Sequence, residues 1–393
     1  MDIFEKCYQF TAAKEAIKAG YYPYFIPLKE NEGTEVVYKG QRLIMCGSNN
    51  YLGLTTHPKV KEAAKNAIDR FGTSCTGSRF LNGTLELHEE LENELAGWVG
   101  KEAALTFSTG MQANLGAISA ISNRGDVIVL DKDDHASIVD GARLGYGTIE
   151  RFRHNDMAHL ERVLKSISDT VGKMIVVDGL YSMEGDLANL PEIIEIAKKY
   201  NARVMVDDAH GMGVTGKGHG TAAHFGVTDK VDLIMSTFSK SFASLGGFVA
   251  GDSDVIHFIK HHARSLIFSA SLPPANAASA LAALKVMQQE PERIERINTV
   301  AAKMRDGFTK LGFNIGRSVS PIIPIIIGDD QRTFLAYHEL FQAGVFVNPI
   351  ISPAVPTGHS LLRTSYMATH TDEQLDKVLD IFATVGRKIG LIK

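Results

Sequence analysis

Lys240, in Ser236-Thr237-Phe238-Ser239-Lys240-Ser241, and Asp207, in Asp207-Asp208-Ala209-His210, are the residues whose types and spacing could do chemistry. A lysine amine becomes a nucleophile toward an aldehyde when burial lowers its pKa. A carboxylate can hold a pyridine nitrogen protonated. Together the two suggest pyridoxal 5′-phosphate chemistry. Each has a plainer reading: Asp207 capping a turn, His210 a satisfied polar side chain, Lys240 one solvated lysine among many. The pairing outweighs these, because short apolar runs at 203–206 and 233–235 feed both motifs. Such runs read as buried parallel strands that deliver their carboxyl ends to a ligand crevice.

The elements that must position these residues recur along the chain. Strands are expected at 103–107, 126–130, 174–177, 203–206, 233–235 and 247–250, with helical patterns in most of the gaps. Leu87, Leu91, Leu95 and Trp98 share one helical stripe, and Pro191 suits the first turn of another helix. This alternation predicts an α/β fold with a mainly parallel sheet covered on both faces. Residues 1–55 differ, with an aromatic run from Tyr21 to Phe25 and a hairpin around Lys39-Gly40, and read as an arm that docks on something. A large domain over 56–290 and a smaller C-terminal α+β domain over 291–393 complete the expected organisation. The C-terminal part carries a charged helix at 290–311 and strand-like runs at 322–327 and 345–347.

Composition narrows the classes. With 393 residues, 45% hydrophobic and 22% charged, the chain has ample material for a core. A net charge of -4, with both signs interspersed, leaves no basic stripe for a phosphate backbone, so nucleic acid is not an expected partner. No apolar run approaches the roughly 20 residues that span a bilayer, and the first residues lack a signal-peptide pattern. A cytoplasmic location is expected. Ile3, Phe4, Cys7 and Phe10 form an apolar stripe, for which packing on the protein itself is the leading reading and peripheral membrane contact the minor one. Cys7, Cys46 and Cys75 have neither an even count nor metal-ligand spacing, so no disulfide framework and no metal are expected.

Gly211-Met212-Gly213-Val214-Thr215-Gly216 satisfies the dinucleotide pattern and, with Lys217, nearly the P-loop. Asp207 to His210 separate it from the strand, and Gly218 cannot supply the hydroxyl that reaches magnesium, so both are set aside. Ser108-Thr109-Gly110-Met111-Gln112 lies between a strand and a helix containing Asn114, which places the N–H groups of Gly110 and Met111 toward an anion; a plain strand-to-helix turn is the alternative. His135, in Asp134-His135-Ala136-Ser137, could lie on a pyridine ring or be a lone surface histidine. His154, His219, His224, His261 and His262 lack partner spacing and read as structural or solvated. Arg363 emerges from an apolar stretch and is either a structural ion pair or a clamp for a substrate carboxylate.

Five ordered segments carry a resemblance: Asn49-Asn50-Tyr51-Leu52-Gly53-Leu54, Gly77-Ser78-Arg79, Asp134-His135-Ala136-Ser137, Asp207-Asp208-Ala209-His210-Gly211 and Thr237-Phe238-Ser239-Lys240. The chain resembles the α-oxoamine synthases, fold-type I pyridoxal phosphate enzymes, from about residue 20 to about 385. The resemblance implies condensation of an amino acid with an acyl-CoA, releasing CO2 and CoA. Residues 344–349, 352–356 and 367–371 resemble the bacterial members that use L-serine and palmitoyl-CoA to make 3-ketosphinganine, the first step of sphingolipid synthesis. The alternative within the fold is a ligase joining glycine to acetyl-CoA; outside enzymes it is a noncatalytic scaffold subunit.

By resemblance, Lys240 carries the cofactor and later acts as base, Asp207 pairs with the pyridinium nitrogen, and His135 stacks on the ring. His210, Ser182 and Thr237 surround the phenolic oxygen and phosphate, with Gly110, Met111 and Ser239 completing the phosphate cup. Asn50 and Arg363, with Ser78 and Arg79, are the implied substrate contacts. Ser269-Ala270-Ser271 matches the segment a second subunit contributes, which implies a homodimer with shared sites.

Overall fold

A computed structural model describes residues 2–18, 20, 22–31 and 33–393. Its centre is a seven-stranded sheet whose strands, in chain order, are β1 (Ala103–Phe107), β2 (Val127–Asp131), β3 (Thr148–Phe152), β4 (Lys173–Asp178), β5 (Arg203–Asp207), β6 (Leu233–Thr237) and β7 (Gly247–Gly251). They lie in the order β1-β7-β6-β5-β4-β2-β3. The pairs from β6 through β3 are parallel, and β7 runs antiparallel to both β1 and β6. Strands β2, β4, β6 and β7 are buried at every residue, which is why they read as unbroken apolar runs rather than alternating ones. Successive side chains divide between two cores: Val127, Val129, Val204 and Val206 on one face, Ile128, Leu130 and Met205 on the other. This is the fold-type I architecture.

Strand β3 was not expected. It is an edge strand, exposed along most of Thr148-Ile149-Glu150-Arg151, and so lacks the apolar run that marks its neighbours.

The C-terminal region has a three-stranded antiparallel sheet of β8 (Ile322–Gly328), β9 (Asn348–Ile350) and β10 (Ser360–Ser365), with β10 in the middle. Pro324 sits in the edge strand β8, where a missing N–H is tolerated. The N-terminal hairpin is present: Glu35–Tyr38 pairs with Gln41–Met45 through Lys39 (φ 47°) and Gly40 (φ 85°), the positive-φ pair that a two-residue hairpin turn requires. Its second strand pairs in parallel with Val345–Phe346, so this part of the arm is built into the C-terminal region. Tyr21, part of the expected aromatic run, lies outside the described residues. The first two helices, Glu5–Tyr8 and Ala12–Lys18, bury no residue, and Ile3, Phe4 and Phe10 are exposed. The stripe expected to pack on the protein itself does not do so. Among the described residues no helix is long and apolar enough to cross a membrane.

Candidate active site

The carboxyl ends of neighbouring strands β5 and β6 bring the two leading residues together. Asp207 is the last residue of β5 and pairs in register with Met235, and Lys240 follows the end of β6 by three residues. Burial takes the Lys240 amine down to about 8, against the opposing pull of Asp207 and Asp178. Among the described residues that amine makes no hydrogen bond. Asp207 is buried, with Oδ1 accepting the N–H of Ala209 at 3.0 Å and Oδ2 the side-chain amide of Asn114 at 2.7 Å.

Helix α1 (Gly110–Ile121) begins beside them. Thr109 caps it, its Oγ1 accepting the N–H of Gln112 at 3.0 Å, which leaves the first-turn N–H groups of Gly110 and Met111 free to face an anion. Gly110 is required here: a Cβ would stand 2.6 Å from Thr237 Oγ1. Thr237 Oγ1 lies 2.8 Å from Ser239 Oγ, so two hydroxyls meet the helix N-terminus. In the same chain Ser269 Oγ accepts from Gln112 Nε2 at 2.9 Å, and Ser271 donates to Gly77 O through its N–H (2.9 Å) and Oγ (3.1 Å). Ser269 therefore sits beside the first turn of α1, and Ser271 on the Gly77 loop.

His135 caps helix α2 (Ala136–Leu144) with its own ring: Nδ1 accepts the N–H of Ser137 at 3.2 Å. Its backbone N–H donates to Asp178 Oδ2 at 2.7 Å. Burial lowers the imidazole and Asp207 opposes the shift. Burial, with Lys240 and Arg363 adding to it, pushes His210 well below the ordinary histidine range, and its Nδ1 lies 2.7 Å from the Tyr51 hydroxyl. Arg363, buried in β10, donates through Nε to the Ser182 carbonyl at 2.6 Å and through Nη2 to Asn49 Oδ1 at 3.0 Å. It has no ion pair among the described residues, which removes the structural-ion-pair alternative.

Other expected residues lie elsewhere. Asn50 spends its amide on Thr55 Oγ1 (2.8 Å) within its own loop, and Asn49 takes its place beside Arg363. Arg79 is held by Glu92 (2.6 and 3.1 Å), Thr106 and Thr84, so this guanidinium braces the core instead of facing substrate. Ser78 keeps a buried Oγ without a partner. His154, read as structural or solvated, bridges Asp131 and Asp186, each at 3.0 Å. Burial pulls its pKa down, but the two carboxylates prevail and raise it to about 10. Tyr51, Asn49 and Asn114 were missed as partners. Asn114, a polar residue among the small residues of Ala113-Asn114-Leu115-Gly116-Ala117, was the readable signal.

The donor set fits pyridoxal 5′-phosphate: a pKa-lowered lysine, a buried carboxylate with both oxygens oriented, a histidine at the strand ends, and a cradle that a Cβ at Gly110 would fill. Comparison with known proteins agrees. Residues 42–382 match the family Aminotransferase class I and II. A serine palmitoyltransferase of Sphingobacterium spiritivorum is 52% identical over 98% of this chain and 96% of its own. The structure of a Sphingomonas wittichii serine palmitoyltransferase superposes with a TM-score of 0.97 at 38% identity, covering 100% of both chains. That of a variant S. paucimobilis serine palmitoyltransferase, with a bound pyridoxal phosphate–myriocin aldimine, superposes with a TM-score of 0.97 at 36% identity over 100% of both chains. The chain belongs to the class I and II aminotransferase family of pyridoxal phosphate enzymes, in the branch of α-oxoamine synthases that includes the serine palmitoyltransferases.

Proposed function

We propose that the chain condenses L-serine with palmitoyl-CoA to give 3-ketosphinganine, CO2 and CoA. The observation that carries the amino-acid half is Arg363, a buried guanidinium without a carboxylate partner at the mouth of the Lys240 site. Two of its five N–H donors are spent on Ser182 and Asn49 and the Tyr51 hydroxyl is a further neighbour, which still leaves donors for a substrate carboxylate. The acyl half rests on the relatives, whose names specify palmitoyl transfer to serine.

Bound at the strand ends, pyridoxal phosphate supplies an electron sink for the amino acid Cα. Gly110, Met111, Thr237 and Ser239 would hold its phosphate, and Asp207 would keep its ring nitrogen protonated. The Lys240 amine, partly neutral near neutral pH, would hold the cofactor and serve as the base that takes the Cα proton of serine. Arg363 and His210 would fix the carboxylate and so the orientation of the Cα–H bond. A bond then forms between Cα and the acyl carbon as the C–S bond breaks and CoA leaves. The carboxylate departs as CO2, and Lys240 returns a proton to Cα.

A second copy of the chain would complete the site. Phe80, Leu81, Met111 and Phe268 are exposed on the rim near Gly77 and the start of α1, an apolar surface that a partner subunit would cover. The uncovered N-terminal arm would dock on the same partner, in the cytoplasm, with contact to a lipid surface as the outcome that vesicle flotation would reveal instead.

Serine labelled with 13C at its carboxyl tests the reaction. The expected result is labelled CO2 and an unlabelled long-chain amino ketone, each in equal amount to CoA. Label retained in the product would sink the reading.

A further inference from the structure

Asn114 lies at the crossing of the three parts of the site. It sits one turn below Gly110 on α1, is fully buried, and belongs to no part of the mechanism above. Its side-chain amide has two hydrogens, and both are placed: one on Asp207 Oδ2 at 2.7 Å, the other on Ser137 Oγ at 2.9 Å. Its Oδ1 is buried without a partner. An orphaned buried acceptor is unfavourable by roughly 1–3 kcal/mol. Turning the amide over would be worse, since Oδ1 would then face the oxygen of Asp207. The carboxylate therefore fixes which way the amide points.

The direction then propagates. Ser137 Oγ accepts from Asn114, so its own hydrogen goes to the remaining neighbour, His135 Nδ1, at 2.7 Å. The backbone N–H of Ser137, which can only donate, meets the same Nδ1 at 3.2 Å. Two donors thus converge on one ring nitrogen, which has to be the acceptor. Burial keeps the imidazole neutral, leaving one ring proton to place.

We infer that Asn114 and Ser137 are positioning residues that tie the carboxylate of Asp207 to the ring of His135 and hold that ring in the tautomer with its proton on Nε2. Asp207, which would hold the cofactor's ring nitrogen, and His135 are then ordered by one chain of hydrogen bonds, so a change at one is felt at the other. The functional weight of this link rests on the cofactor reading of the site; the tautomer itself belongs to the protein alone.

The test is nitrogen-15 NMR of histidine-labelled protein, with and without pyridoxal phosphate, the His135 signals being identified by their loss in His135→Asn. The expected result is a single Nε2-protonated tautomer in the unaltered chain and in Ser137→Thr, which keeps the hydroxyl. Ser137→Ala, which keeps the backbone N–H on Nδ1 but removes the hydroxyl, should lower the Nε2-protonated fraction without abolishing it. Asn114→Ala, which frees the Ser137 hydroxyl to turn, should lower that fraction too and weaken cofactor binding about tenfold, the scale of one hydrogen bond to a charged group. If Asn114→Ala fails to fold, Ser137→Ala, which removes a single oxygen, still decides the matter. A proton on Nδ1 in the unaltered chain, or a tautomer unchanged in Ser137→Ala, would overturn the inference. Failure of the unaltered chain to bind pyridoxal phosphate would instead strike the cofactor reading, and the tautomer would be settled by the cofactor-free spectra.

Discussion

A cavity of about 870 Å³ opens at the amino ends of the large sheet, lined by Lys101, Asp126, Lys173, Arg203 and Asp232 among others; Lys240, Asp207, His135, His210 and Arg363 gather at the carboxyl ends. The cationic side chains at the amino ends are spent. Lys101 Nζ donates to the carbonyls of Thr228 (2.7 Å) and Val231 (2.5 Å), Arg203 pairs with Asp232 at 2.7 Å, and Lys173 donates to the Tyr200 carbonyl at 3.0 Å. At the carboxyl ends Lys240 has no hydrogen-bond partner among the described residues and Arg363 no carboxylate, while burial drives His210 down and Asp178 up. Volume alone points to the wrong end. Chemistry is marked by polar groups whose environment has been prepared but whose bonding is incomplete.

Substitutions at the two ends should break this contrast or sharpen it. Lys240→Ala should reduce turnover by roughly 10⁴-fold or more, since both attachment of the cofactor and proton removal are lost. Asp207→Asn should lower it about a hundredfold while leaving the fold intact, measured as kcat from CoA release with palmitoyl-CoA and melting temperature side by side. Tyr51→Phe, which removes the hydroxyl facing His210, should lower kcat about tenfold, one hydrogen bond in magnitude. At the other end, Arg203→Ala should leave turnover unchanged and alter stability by no more than roughly 0.5 kcal/mol, as for an exposed pair. A marked loss of activity in that variant would make the cavity part of the machinery.

The pH dependence follows from the sign of the Lys240 shift. Its folded pKa, about 8, lies below its ordinary 10.5, so between these values the unfolded chain binds more protons than the native one. Stability of the cofactor-free protein should therefore gain from this group as pH rises from about 8 to about 10.5. Cofactor attachment should speed up through pH 8 and level off above it, followed by absorbance in stopped flow, and Lys240→Ala should show neither change.

Much of this was legible in the chain itself. Strands β2, β4, β5 and β6 announced themselves because burial on both faces demands apolar residues throughout, and their ends located Asp207 and Lys240. Strand β3 stayed hidden because an edge strand with solvent on its side chains carries no such run. The site's partners were harder. Tyr51 meets His210 across 159 positions and Asn114 meets Asp207 across 93, and no local spacing encodes such contacts. Arg79 misled for the complementary reason: its place in a recognisable motif said nothing of Glu92, whose carboxylate it neutralises in the core. His154 likewise gave no sign of the two aspartates that charge it.

The central claim, condensation of serine with a long-chain acyl-CoA, is tested most directly by thiol release from the cofactor-loaded protein. Serine, glycine and alanine would each be offered with acetyl-CoA and with palmitoyl-CoA. The account predicts release confined to serine with palmitoyl-CoA. Release with glycine and acetyl-CoA, and none with serine and palmitoyl-CoA, would contradict it.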